Sequence, residues 1–586
     1  MKSFFKNVIA NIVAIMIVIA IGILALLMMI AASALSGSEK AHVKNNSVLT
    51  LDFNTNIIDS PSEDSPEMFS FNAEKEKNVL IFDMIEAIKK AKSDDKIKGI
   101  SIETDGLRAG MTQLDDIRAA LQDFKKSGKF VYAYGNNVSQ PAYYLGSVAD
   151  KYFLNPAGGI ELKGLSTEIL YMKNFINKYG IGMQIIRHGK YKSAVEPFLR
   201  DDMSPENKEQ ISTMLKDLWS GNSEKMAASR KIDTAQFRTV VDSLYGMIPD
   251  LSLQHKLADQ LIQKTEYDNL IRTKLNLKEK DKLNKISFTK YISSYSEDNV
   301  KKDNQVAVLY ASGAIYNGEG YDAVYSENFV KEIKKLTEND KVKAVVFRIN
   351  SPGGSANASD EILFELQQLR KKKPLIVSFG DYAASGGYYI AMGADKIYSE
   401  PNTLTGSIGV FGMIPNFKEI ANKNGLSSHA VTTNANSNMY SPINGVTSGG
   451  ISMMTRSVEQ TYKRFVYFVT QNRKKSFEQI DEIGGGRVWS GTRAKQLGLV
   501  DELGSLNDAI NYAAQKAKMK DYNVAAYPKK VSPFEQFFKN MEEDELSARL
   551  IKNKIGKENY KVFEQITNPK LQGGVMMKMP YQIKFD

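Results

Sequence analysis

Ile85–Ile100 reads IEAIKKAKSDDKIKGI and Val330–Val345 reads VKEIKKLTENDKVKAV, two stretches 245 residues apart that share an amphipathic helical pattern running into an apolar strand. The spacing then holds without a gap. Gly135 in YAYGNNVSQPAYYLGSVADKYFLNP falls on Gly380 in VSFGDYAASGGYYIAMGADKIYSEP, and Asn177-Lys178-Tyr179-Gly180 falls on Asn422-Lys423-Asn424-Gly425. A match kept from Ile85 to Gly180 implies two copies of one domain, too few for a solenoid. The reading places the first copy at 46–285, a polar linker at 286–304 around SSYSEDNVKKDN, the second copy at 305–525 and a C-terminal extension at 526–586.

Within the second copy the pattern is β, α, β, α, β: QVAVLYAS, ENFVKEIKKLTE, VKAVVFRI, SDEILFELQQLRK and PLIVSFG. Such alternation predicts an α/β fold with a parallel sheet, whose functional loops lie at the carboxyl ends of the strands. Two of those ends are conspicuous. Asn350-Ser351-Pro352-Gly353-Gly354-Ser355 offers glycine amides to a closely approaching ligand, and Asp381-Tyr382-Ala383-Ala384-Ser385-Gly386-Gly387 sets a serine among small residues. Ser385 at a helix start would have its own N–H and that of Gly386 facing a developing negative charge.

The first copy lacks both features. Ser385-Gly386-Gly387 is replaced by Gln140-Pro141-Ala142 and Pro352-Gly353-Gly354 by Leu107-Arg108-Ala109, and Pro141 has no N–H to donate. It holds instead IIRHGKYKSAVEPFLRDDMS, in which Lys192 is a candidate base; the equivalent position in the second copy is Ser437. Each copy thus holds half of a site. A lysine base must lose its ordinary charge at neutral pH, which burial can bring about; Lys190 and His188 are the neighbouring competitors.

Composition narrows the chemistry. With no Cys there is no disulfide scaffold, thiolate metal site or cysteine nucleophile, and four scattered His (42, 188, 255, 429) form no zinc motif, so no metal and no cofactor are expected. The 77 basic and 67 acidic residues, net +10, interleave along the 586-residue chain, which gives no case for a nucleic-acid partner. Ile12–Ala32 is apolar throughout, long enough to span a bilayer, and follows Lys2 and Lys6. That pattern makes 1–45 a cytoplasmic stub and transmembrane anchor, with the rest outside. The other reading is a cleaved signal peptide ending near Ala32-Ser33-Ala34, against which the length of the run argues.

RINSPGGS, GDYAASGGYYIAMGADKIY, TGSIGV and GRVWSGTRAKQLGLVDELGSL in the second copy, with GKYKSAVEPFLRDDMSP in the first, resemble the signal peptide peptidase A (protease IV) family in its long tandem-domain form. The resemblance implies two domains of the Clp protease and crotonase type, and a Ser/Lys dyad that degrades remnant signal peptides at the outer (periplasmic) face of the inner membrane. It also implies a homotetramer. It carries the nucleophile onto Ser385, the general base onto Lys192 and the oxyanion-hole amides onto Gly354 and Gly386. Ala383, Ala384, Ile408, Val410 and Met413 around the loop suggest a pocket for small or apolar side chains. Two other classes stay open: a crotonase-like acyl-CoA enzyme, since paired amides also suit a thioester oxygen, and a noncatalytic membrane scaffold.

Overall fold

The apolar runs fold as their periodicity predicts. QVAVLYAS is the strand Gln305–Ser312, VKAVVFRI lies in Val342–Ser351 and PLIVSFG in Leu375–Ala384, with helices Ser326–Glu338 and Ala356–Lys372 between them. The computed structural model describes residues 42–529 except 53–54, 62–76, 107, 279–280, 296–301 and 321–322, together with 13–18, Ile21 and 575–579. The proposed anchor therefore lies largely outside the described residues, among which no helix is long and apolar enough to cross a membrane.

The two copies share one six-strand order, to which the second adds Leu404–Gly406 beside Leu375–Ala384 and, antiparallel to it, Val488–Ser490. In the first, the order is Gln260–Leu261, Lys151–Ile160, Phe130–Val138, Ile97–Glu103, Ser47–Leu51 and Asn284–Ser287, with every neighbouring pair parallel. In the second, Glu502–Leu503, Lys396–Ser399, Leu375–Ala384, Val342–Ser351, Gln305–Ser312 and Asn523–Tyr527 follow the same order, again parallel. Parallel sheets are covered on both faces, which is why these strands read as nearly unbroken apolar runs. Each sheet has its own core, Leu49, Ile88, Ile100 and Leu121 in the first and Leu309, Ile333, Phe347 and Leu366 in the second.

Two differences from the sequence reading matter. The polar stretch from 286 is not all linker: Asn284–Ser287 pairs with Ser47–Leu51, and Phe288 and Tyr291 on the helix Phe288–Ser293 are buried in the first core. The first repeat therefore runs past the expected boundary at 285, because two apolar residues three apart are enough to hold a short helix on a sheet. The second difference is a sheet that mixes the copies. Gly182–His188 leaves the first repeat and pairs antiparallel with Val410–Asn416 of the second, Val410 opposite His188 and Asn416 opposite Gly182.

Buried polar contacts fasten the repeats together as well. Arg348, inside the apolar strand VVFRI, is fully buried and forked onto Asp59 of the first repeat, with Nε 3.1 Å from both carboxylate oxygens and Nη2 3.0 Å from Oδ1. Thr112 donates its N–H and hydroxyl to Asp381 Oδ1, both at 2.9 Å. Burial pushes the Asp381 carboxyl above its usual range, against the lowering effect of those two bonds. The helix Met111–Lys125 of the first repeat is thereby pinned four residues from Ser385.

Candidate active site

Ser385 stands where the strand Leu375–Ala384 turns abruptly into the helix Gly386–Ala391. Its backbone, at φ 56° and ψ −115°, lies in a region that residues with a side chain rarely occupy. Two hydrogen bonds hold it there: Ser385 N–H donates to Gly406 O at 2.8 Å, and Tyr389 N–H donates to Ser385 O at 2.8 Å. Strain of this kind persists only where the surroundings enforce it. The first of these bonds also corrects the sequence reading, because the serine's own N–H is already spent on Gly406 and only the following amide is left for an anion.

Lys192 reaches this serine from the other repeat and within the same chain. The strand Gly182–His188 carries the chain across, and the loop after it packs against Gly485 and Gly486, with Tyr191 N–H donating to Gly485 O at 3.0 Å. The approach is so close that a Cβ on Gly486, whose φ is 86°, would lie 2.5 Å from the Lys192 nitrogen of the backbone. Lys192 Nζ then sits 2.8 Å from Ser385 Oγ, 2.9 Å from Ser407 Oγ and 3.1 Å from Ser407 O.

Lys192, Ser385 and Ser407 are all fully buried. Burial alone pushes the Lys192 amine well below the ordinary lysine value, and no carboxylate opposes it. A neutral amine has two N–H donors and one lone pair. Ser407 supplies two acceptors, its carbonyl and its hydroxyl, which leaves the lone pair for the Ser385 hydroxyl proton. Ser407, in the TGSIGV segment, was not singled out from sequence as a site residue. Its left-handed backbone (φ 51°), locked by Ser407 N–H donating to Arg487 O at 2.6 Å, is what turns both oxygens to the lysine, and no residue pattern announces that. The competitors are placed elsewhere: Lys190 is exposed over the Tyr191 ring, and His188 stacks on Tyr462 with centroids 3.8 Å apart.

The glycine loop completes the site. Gly353 has φ 92°, and a Cβ there would stand 2.6 Å from Gly386 N; a Cβ on Gly386 would stand 3.1 Å from Gly354 N. The two amides therefore share one small space beside Ser385, the geometry an oxyanion site needs. The loop is not open, as its small residues suggested: Met577 O lies 2.2 Å from that same Gly353 Cβ position, so the chain's own C-terminal strand covers it.

Residues 123–278 and 367–520 match peptidase family S49, and residues 296–405 match the Clp protease family. The chain belongs to peptidase family S49. It is 36% identical to Protease 4 of Salmonella typhi over 82% of this chain and 80% of that one, and 34% identical to Protease 4 of Haemophilus influenzae over 86% and 84%. It is 31% identical to the chloroplastic serine protease SPPA of Arabidopsis thaliana, over 73% of this chain and 64% of that one. The S49 member described here is a serine peptidase with a Clp protease-like α/β fold built in tandem. An acyl-CoA enzyme and a noncatalytic scaffold lose their support together.

Proposed function

We propose that this S49 peptidase degrades remnant signal peptides, with Ser385 as nucleophile, Lys192 as general base and the Gly354 and Gly386 amides as the oxyanion site. The observation that carries the reading is the 2.8 Å contact between a fully buried lysine amine and a serine hydroxyl held in a strained turn. Lys192 takes the Ser385 proton as Oγ attacks the peptide carbonyl carbon, and the negative oxygen forms between the two amides. The resulting ammonium is held by Ser407 O and Oγ and returns its proton to the departing amine. Water, deprotonated by the same lysine, then releases the acyl group from Ser385. Two parts of the reading extend beyond this centre: anchoring through Ile12–Ala32 with the catalytic repeats on the outer side, and assembly into a homotetramer. The apolar run behind Lys2 and Lys6 supports the first. Exposed Leu170, Phe175, Tyr179 and Leu426, around a helix that buries none of its residues, support the second.

The test is a pH–rate profile on an apolar peptide together with fluorophosphonate labelling. Only neutral Lys192 accepts a proton, so the rate rises with pH through its depressed pKa, about tenfold per unit below that value, and labelling follows the same curve. A rate that falls as the pH is raised from acid towards neutral, or a label on a residue other than Ser385, contradicts the assignment.

A further inference from the structure

Near the ion pair of Arg348 and Asp59 the two repeats enclose a pocket of about 490 Å³. One wall is formed by the helices Ile81–Ser93 and Met111–Lys125 of the first repeat, the other by Glu400, Pro401 and the start of the helix Leu506–Lys516 of the second. Phe82, Ile85, Leu503 and Leu506 make much of the lining apolar. Three carboxyls set into it, Asp115 and Asp116 from the first repeat and Glu400 from the second, are each more than nine-tenths buried.

Asp115 has its partners: it accepts from Lys225 Nζ and Asn402 Nδ2, each at 2.6 Å, and from the Tyr144 hydroxyl. Asp116 and Glu400 have only each other. Their side chains hydrogen-bond across the repeat boundary, which two carboxyls can do only around a shared proton. Burial raises both above the usual carboxylate range, Asp116 to about 7, and the neighbouring acids Asp115 and Asp59 add to the effect. The Arg348 charge opposes that rise from behind, while its hydrogen bonds go to Asp59, Ser378 and Phe379. Glu400 Oε1 is buried with no hydrogen-bond donor, an arrangement that folded proteins rarely leave unanswered. The charged groups at the rim are engaged: Lys89 Nζ with Glu86 at 2.9 Å, Asp123 with Lys92 at 2.8 Å, and Asp508 with the Ser505 N–H at 2.8 Å.

We propose that this pocket binds a primary ammonium group on a short apolar stem, with its N–H donors on Glu400 Oε1 and the Asp116 carboxylate and its stem against Phe82, Ile85 and Leu506. The cation replaces the shared proton, which leaves to solvent, so charge is conserved in the pocket. An organic cation suits the lining better than a metal ion: the walls are largely apolar, and among the described residues no three Asp, Glu or His side chains are placed to hold a metal. The bound ammonium bridges Asp116 of the first repeat and Glu400 of the second. Both walls lead to the strand of Ser385. Thr112, on the Asp116 helix, holds Asp381, and Glu400 N–H donates to Thr403 Oγ1 at 3.1 Å, whose hydroxyl donates to Gly380 O at 2.8 Å. The ligand therefore stabilises the junction across which Lys192 reaches Ser385. The inference does not rest on the peptidase reading of Ser385.

The test is calorimetric titration of the full chain with hexylammonium, with hexanol as the neutral control, from about pH 6 to about pH 8 in buffers of different ionisation heat. Hexylammonium should bind at least tenfold more tightly than hexanol and raise the melting temperature. It should release a proton, so that its affinity rises close to tenfold per unit below about pH 7, where Asp116 is protonated in the free protein, and less above. Asp116→Asn and Glu400→Gln should each weaken hexylammonium at least tenfold and leave hexanol unchanged. Tighter binding of 1,5-diaminopentane than of acetyl-Leu-Lys-Leu amide assigns the site to a free amine, and the reverse to a lysine side chain of a peptide; either supports it. Equal affinity for hexylammonium and hexanol, binding without proton release, or binding untouched by both variants overturns the proposal. Should a variant fail to fold, proton release by the unaltered chain decides.

Discussion

At positions 245 residues apart, each opening the short helix after the third strand of its sheet, the first repeat holds Gln140 and the second holds Ser385. The strands and helices around them correspond, but only Ser385 takes a positive φ, and the chemistry is opposite. Gln140 closes its own repeat: its Nε2 donates to Gly164 O at 3.0 Å, and its Oε1 accepts from Gly164 N at 2.8 Å and Lys163 N at 3.1 Å. Ser385 makes no such closure. The space is taken by Lys192, delivered from the other repeat on Gly182–His188. The segment of the second repeat equivalent to that strand, 427–433, is irregular and exposed. Duplication therefore supplied two scaffolds, and the Ser385–Lys192 contact that we propose as the catalytic pair is divided between them.

The sharpest way to break this comparison is to remove one half of the pair at a time. Ser385→Ala and Lys192→Met each reduce kcat by about 10³- to 10⁶-fold, because members of one catalytic unit fail together. The double variant should be no worse than either single one. Circular dichroism and melting should show both proteins folded, and Lys192→Met should melt close to the parent, since the donors lost to buried Ser407 O and Oγ are offset by removing an amine that burial must neutralise. Robust turnover by Ser385→Ala would end the division of labour described above.

The next largest effect is on the fastening of the repeats. Asp59→Ala leaves the Arg348 guanidinium fully buried without its hydrogen-bonded carboxylate, with Ser378 Oγ at 2.9 Å and Phe379 O at 2.6 Å still accepting from it and Asp116 and Glu400 the remaining acidic groups nearby. Breaking a buried pair in this way costs about 3–5 kcal/mol. Denaturant unfolding of the variant should show that loss, and activity should fall in parallel, since the strand of Arg348 leads directly to the glycine loop. If Asp59→Ala unfolds like the parent, the repeats are held by their apolar faces and the ion pair is incidental.

How much of this could be read beforehand depends on the distance over which each signal acts. The alternation of strands and helices is local, and QVAVLYAS and VKAVVFRI gave their strands within a residue or two. The split site was legible because the repeat itself provided an internal control: Gln140 against Ser385, Lys192 against Ser437. Three features were out of reach. Arg348 is a lone cation in an apolar strand, and its partner Asp59 lies 289 positions away. Ser407 acts through a backbone conformation imposed by Arg487. Val575–Lys578 is four residues long, with no alternation to mark a strand and partners more than 150 residues upstream. In each case the deciding contact is made by tertiary structure, which periodicity does not register.

The smallest effect tests whether the quiet half of the comparison is as closed as it looks. Gln140→Ala removes the buried amide that closes the half-exposed turn at Gly164, a loss of about 1 kcal/mol in stability. Peptidase activity should stay within about twofold of the parent, because the catalytic groups contact Gly406, Ser407 and Gly486 of the second repeat rather than this loop. Gln140→Ser in the Ser385→Ala background extends the test. It restores a hydroxyl at the equivalent turn, yet Pro141 offers no N–H for the oxyanion, and Ser437, at the position equivalent to Lys192, lies on an exposed turn where it accepts from Asn434 N. That variant should therefore be as inactive as Ser385→Ala alone. Any recovery of turnover above that background, measured on the same apolar peptide, would mean that the first repeat keeps a latent site and that the two copies have diverged less than their side chains imply.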